Sequence, residues 1–78
     1  MSNTPHTLHE EFPGEIDKIH ALKTTDAHFA RLLQEYDAAN DAVHRAETRV
    51  DAVSSEHESE LRKKRSRLKD DIARALRA

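Results

Sequence analysis

The chain contains no cysteine and no tryptophan, one glycine, two prolines and three aromatic residues, Phe12, Phe29 and Tyr36. Without cysteine there is no disulfide framework and no thiolate metal site, so two common staples of small folds are excluded. No more than two apolar residues stand in succession, which excludes a membrane-spanning segment. The opening residues, MSNTPHTLHEEFP, have neither a basic region nor an apolar stretch and do not read as a signal peptide. The compartment expected on these grounds is the cytoplasm. Gly14, Pro5 and Pro13 all fall within the first fourteen residues, so from Glu15 onward nothing strongly interrupts a helix.

What the chain does have is charge. Of 78 residues, 36% are charged and 36% apolar, below the usual apolar share of roughly 45–50%. This is one small domain, too polar to build layers around a sheet. A single core of this size rarely supplies more than about 3–5 kcal/mol. Self-association is the expected further source of stability.

Periodicity defines the elements. Residues 1–7 read as a mobile terminus, and Leu8 to Phe12 as a helical turn stopped by Pro13. A short helix is predicted over 13–23, with Pro13 at its first position and Ile16, Ile19 and Leu22 on one stripe. Thr24, Thr25 or Asp26 can cap the next helix, predicted over 26–51. Along it Phe29, Tyr36, Val43 and Val50 recur every seven residues, each followed three later by Leu32, Ala39, Ala46 and Val53. Ser55 and Glu58 fit a capping box that opens a second long helix over 56–77. Its apolar face carries Leu61, Leu68, Ile72 and Leu76, with Arg65 in the same stripe, stem packed and head in water.

The expected fold is all-α: a short N-terminal helix followed by a long antiparallel helical hairpin. Folding at Ser54 opposes Ala46 to Leu61, Ala39 to Leu68 and Leu32 to Leu76. Two helices leave much of each stripe uncovered, so a dimer forming a helical bundle is expected.

The motifs His9-Glu10-Glu11-Phe12-Pro13, Ile19-His20-Ala21-Leu22-Lys23 and Asp26-Ala27-His28-Phe29 follow one another. Glu35-Tyr36, Asn40, Leu61-Arg62-Lys63-Lys64-Arg65 and Leu68-Lys69-Asp70-Asp71-Ile72 complete the series. Together these stretches, from Leu8 to Leu76, resemble the YdcH-like small bacterial proteins, a domain of unknown function. This chain departs from the family pattern with Gly14 and Asp71, where relatives often carry glutamate. The resemblance implies an all-helical, coiled-coil-like bacterial protein. It implies no enzyme activity, no cofactor and no catalytic residue.

Three candidate sites can be weighed. Residues 62–69 hold six basic side chains in eight, leaving −8 on the remainder of a chain of net charge −2. Arg62, Lys63, Arg65 and Arg67 could follow a phosphate backbone. Against this, consecutive basic residues spread around a helix, and no aromatic interleaves to stack on bases. Acidic residues of the first long helix, Glu35, Asp37, Asp41 and Glu47, could neutralise part of the cluster.

The six histidines suggest a metal, with His6 and His9 beside Glu10 and Glu11. The others are scattered over different helices, and there is no pair with Glu between in the zinc-protease spacing. No metal is expected, and the imidazoles would give mild pH dependence near 6–7. Neither carboxylate pair, Glu10-Glu11 or Asp70-Asp71, has an evident pocket to shift it, and no nucleophile elbow or glycine-rich loop exists. No catalysis is expected.

The third candidate is the stripe Phe12, Ile16, Ile19 and Leu22. If it does not close onto the hairpin, it is available to another protein. The leading reading is therefore protein–protein contact, as a homo-oligomer or an accessory subunit, with nucleic-acid association through residues 62–69 as the alternative.

Overall fold

The computed structural model describes residues 6–48 and 52–77, and among these every regular element is helical. The order is α1 (Leu8–Glu11), α2 (Ile16–Thr25), α3 (Ala27–Glu47) and α4 (Ser55–Arg77). The molecule measures 38 × 25 × 18 Å.

Local chemistry fixes each boundary. Thr7 caps α1, its side chain accepting from the Glu10 N–H at 3.4 Å. The Glu15 N–H donates to the Phe12 carbonyl at 3.1 Å, closing a turn through Pro13 and Gly14. Pro13 thus sits in the turn rather than at the first helical position, and α2 starts three residues later than expected. Of the three capping candidates, Asp26 caps α3, its Oδ1 accepting from the Phe29 N–H at 3.1 Å. Thr24 and Thr25 instead serve the end of α2, both hydroxyls donating to the Ala21 carbonyl.

The long helix was expected to reach residue 51. It ends at Glu47, where the Thr48 hydroxyl donates to the carbonyls of His44 and Arg45 and draws off helix-end acceptors. The reading for 49–51 lies outside the described residues, as does that of a mobile terminus for 1–5. His6 and Thr7, the rest of that terminus, are held by hydrogen bonds.

The cap of α4 is Ser54, not Ser55. The Ser54 Oγ accepts from the His57 N–H at 3.1 Å and its carbonyl from the Glu58 N–H at 2.9 Å. Ser55 is already the first helical residue, and the Glu58 side chain turns away to pair with Arg62. Ser54→Ala is expected to lower stability by about 1 kcal/mol and Ser55→Ala by much less. Urea unfolding of the two variants checks this; equal losses would remove Ser54 as the cap.

α3 and α4 lie side by side. Arg62 meets Glu47 and Arg65 meets Asn40, so advancing along α3 means retreating along α4. The core joins Phe29, Leu33, Tyr36 and Ala39 of α3 to Leu68, Ile72 and Leu76 of α4, with Phe12 and Ile19 from the N-terminal segment. Val43 and Ala46 are buried further along α3. Leu33 is 5% exposed whereas Leu32, its heptad neighbour, is only half-buried. A two-helix seam would have selected Leu32; α1 and α2 add a second surface against α3, and Leu33 faces it.

Candidate interaction surface

The four residues expected to face a partner are turned inward. Phe12 (8% exposed) and Ile19 (5%) belong to the core, and Ile16 and Leu22 pack half-buried against it. The stripe that looked free in the sequence closes onto its own chain, because Phe29, Leu33 and Tyr36 offer it more apolar surface than α3 and α4 alone can cover.

Polar contacts tie this segment down. The Tyr36 hydroxyl donates to the His6 carbonyl at 2.6 Å. Burial, with the Glu11 charge adding to it, pushes the Tyr36 phenol up to about 12. Lys69 Nζ lies 3.0 Å from the Glu11 carboxylate, and His6 Nδ1 3.4 Å from it. The hydrogen bond from Lys69 holds the Glu11 carboxyl below its ordinary range. The Lys18 ammonium donates to the Leu76 carbonyl at the far end of α4.

The basic cluster divides in two. Arg62 bonds Glu47 at 2.9 Å and Glu58 at 2.7 Å, and the first contact lowers the Glu47 carboxyl. Arg65, half-buried, donates at 3.1 Å to the Oδ1 of Asn40, itself 4% exposed. Lys69 is engaged by Glu11, as above. Lys63, Lys64 and Arg67 remain exposed, and among the described residues none has an acidic group within ion-pair distance. They share a shallow surface depression with Glu60 and His57, so even this remainder is of mixed charge.

A cleft of about 250 Å³ opens between α1, α2 and α3, bordered by Leu8, His9, Ile16, His20 and Asp37. Burial raises the Asp37 carboxyl above its usual range, with Lys23 opposing. His9 borders this cleft whereas His6 faces Glu11, so the histidine pair noted in the sequence does not converge. The described residues hold no group of three potential ligands placed for a metal ion, and none of their helices is long and apolar enough to cross a membrane.

Sequence reasoning missed the cleft, the Tyr36–His6 bond and the Asn40–Arg65 bond. One signal was available: a tyrosine in a buried heptad position needs a partner for its hydroxyl.

α1 and α2 cover one side of the α3–α4 pair only. Leu33 and Asp37 border the cleft beneath them, and Leu76 and Lys69 carry the tethers. At 3.6 residues per turn, Leu32 and Glu35 project from the opposite flank of α3, and Leu61, Lys64, Asp71 and Ala75 from the matching flank of α4, while Ala39 and Leu68 beside them are already buried in the core. On that flank Leu32, Leu61 and Ala75 remain half-buried.

Residues 29–76 match the family model described as "Protein of unknown function (DUF465)". The match covers nearly all of α3 and α4 and begins after α1 and α2, including the Phe12-Pro13 opening, have ended. No curated protein and no solved structure matches the chain.

Proposed function

The chain belongs to the DUF465 family, which includes the YdcH-like proteins, and from its geometry we propose that it works by contact and not by chemistry: a helical hairpin that self-associates and serves as an interaction subunit. The carrying observation is the one-sided cover of the α3–α4 pair. α1 and α2 close one flank, while the other keeps Leu32, Leu61 and Ala75 half-exposed at helical spacing. A domain this small, without disulfides, gains stability by covering such a flank. A second copy is an occupant that is always present.

The alternative, nucleic-acid association through Arg62, Lys63, Arg65 and Arg67, is less well supported. Arg62 and Arg65 are engaged by Glu47, Glu58 and Asn40, and rupture of those contacts would accompany binding. Only part of the cluster is left to release counterions from a phosphate backbone.

Sedimentation velocity over a range of concentration tests the proposal. The expected result is a reversible species of twice the 8.9 kDa chain mass, insensitive to nuclease and to Lys63→Gln with Arg67→Gln. A monomer at every concentration, with salt-sensitive retention of an oligonucleotide lost in that double variant, would overturn it in favour of the alternative.

A further inference from the structure

The cleft between α1, α2 and α3, about 250 Å³, plays no part in the self-association proposed above. It opens where the turn through Pro13 and Gly14 sets α1 and α2 apart while the core binds both to α3. Its floor is aliphatic: Ile19 and Leu33, each 5% exposed, with Leu8 and Ile16 half-buried beside them. Such a floor gives water few hydrogen-bond partners, so displacement of that water by an apolar group is favourable. At roughly 30 Å³ per water molecule the space equals about eight waters. That is the scale of a single amino acid, too small for a nucleotide or a helix.

One cation and one anion stand at the border of this floor. Lys23 of α2 and Asp37 of α3 both line the cleft, and both are exposed. Among the described residues neither has a partner within ion-pair distance, the other included. They are close enough that the Lys23 charge opposes the upward push of burial on the Asp37 carboxyl, yet too far apart to bond. A carboxylate ligand would set Asp37 against like charge, and an amine would do the same to Lys23. A head group carrying both charges pairs with both residues and repels neither. An apolar floor with a few polar groups at its border is the usual make-up of a small-molecule site.

We infer that this cleft binds a free α-amino acid with an apolar side chain, its ammonium at Asp37, its carboxylate at Lys23 and its side chain on Ile16, Ile19 and Leu33. Because the walls belong to α2 and α3, a bound molecule holds the N-terminal segment against the hairpin. Binding of this kind does not depend on self-association; it gives a protein that works by contact a small-molecule input.

Titration calorimetry of the full chain tests the site, at about pH 8 to keep imidazole charge out of the comparison. The probes are L-leucine and three relatives: isoamylamine lacks the carboxylate, isocaproate lacks the ammonium, and glycine lacks the side chain. Leucine should bind, and each relative should bind about fivefold more weakly or worse, the worth of one exposed ion pair or more. In Lys23→Gln, leucine and isoamylamine should become equal; in Asp37→Asn, leucine and isocaproate should. Both positions are exposed, so helicity should be unchanged in either variant. Leucine should also raise the thermal midpoint in proportion to the logarithm of its concentration and slow amide exchange in α2. Absence of heat and of any midpoint shift with leucine would overturn the site and leave the cleft a gap in the packing. Equal binding of leucine and a single-charge relative by the parent would overturn the zwitterionic head. Leucine binding that both variants leave unchanged would place the ligand elsewhere and overturn the assignment. The self-association is judged separately, by sedimentation without ligand.

Discussion

Tyr36→Ala is expected to abolish the cooperative thermal unfolding transition of the chain. The side chain has no exposed surface and sits where α3 meets both the N-terminal segment and α4. Emptying an aromatic core site costs about 3–5 kcal/mol. That is close to the whole stability, about 3–5 kcal/mol, that one core of this size supplies. Tyr36→Phe separates the ring from the hydroxyl: the packing stays, the bond to the His6 carbonyl goes, and the loss should be about 1 kcal/mol. Circular dichroism against temperature and urea measures both. A Tyr36→Ala variant that unfolds cooperatively within about 1 kcal/mol of the parent would show that this ring does not join the helices.

The same residue gives a pH signature. Its phenol is pushed up to about 12 in the folded chain, against about 10 in an unfolded one, so folding favours the protonated form. The stabilisation is intact below pH 10, declines as pH rises from about 10 towards 12, and falls no further once both states are ionised. It is the sole tyrosine, so phenolate absorbance follows it directly. The parent should lose stability through that window more steeply than Tyr36→Phe. Lysine titration is common to both and cancels in the difference.

How much of this was legible in the sequence depends on the distance over which each feature is decided. A cap within Thr24–Asp26, which the fold assigns to Asp26, the stop before Pro13 and the seven-residue rhythm through Phe29, Tyr36 and Val43 are local, and all could be read. Ser54 and Ser55 both offer a hydroxyl, and only Ser55 has glutamate three residues on, so the capping-box pattern points to Ser55. In the fold, that glutamate is drawn to Arg62. The heptad selects Leu32 and not Leu33 because it presupposes one partner helix, and α3 packs against both α2 and α4. The basic run shows the same limit: nothing in Arg62 to Lys69 reveals that Asn40, Glu47 and Glu11 will meet three of its members. Lys18 reaches Leu76 across 58 positions, a contact without any local signature. The inward turn of Phe12 and Ile19 belongs to this class: spacing showed that a stripe exists, and only the packing shows what it faces.

Ile19→Asp should release the N-terminal segment from the α3–α4 pair. Ile19 is 5% exposed within the core, so the variant must either bury a carboxylate without a cation or swing α2 away. An unpaired buried charge is among the costliest substitutions. The apolar contacts of the isoleucine are lost as well, about 2–5 kcal/mol in such sites. Release is the lower-energy course, because α1 and α2 are joined to the rest by a short list of contacts: Tyr36 to His6, Lys69 to Glu11, Lys18 to Leu76. Once they part, Tyr36 is uncovered and loses its acceptor, so its phenol should titrate near 10 instead of about 12. Backbone amides of α2 should then exchange rapidly, while His20→Asp, at the exposed neighbouring position, should leave both readings unchanged. The self-association proposed for the opposite flank should survive as long as α3 and α4 stay paired. If Ile19→Asp keeps the parent's tyrosine titration and slow exchange in α2, the segment is not held through Ile19. The stripe of Phe12, Ile16, Ile19 and Leu22 would then again be available to another protein.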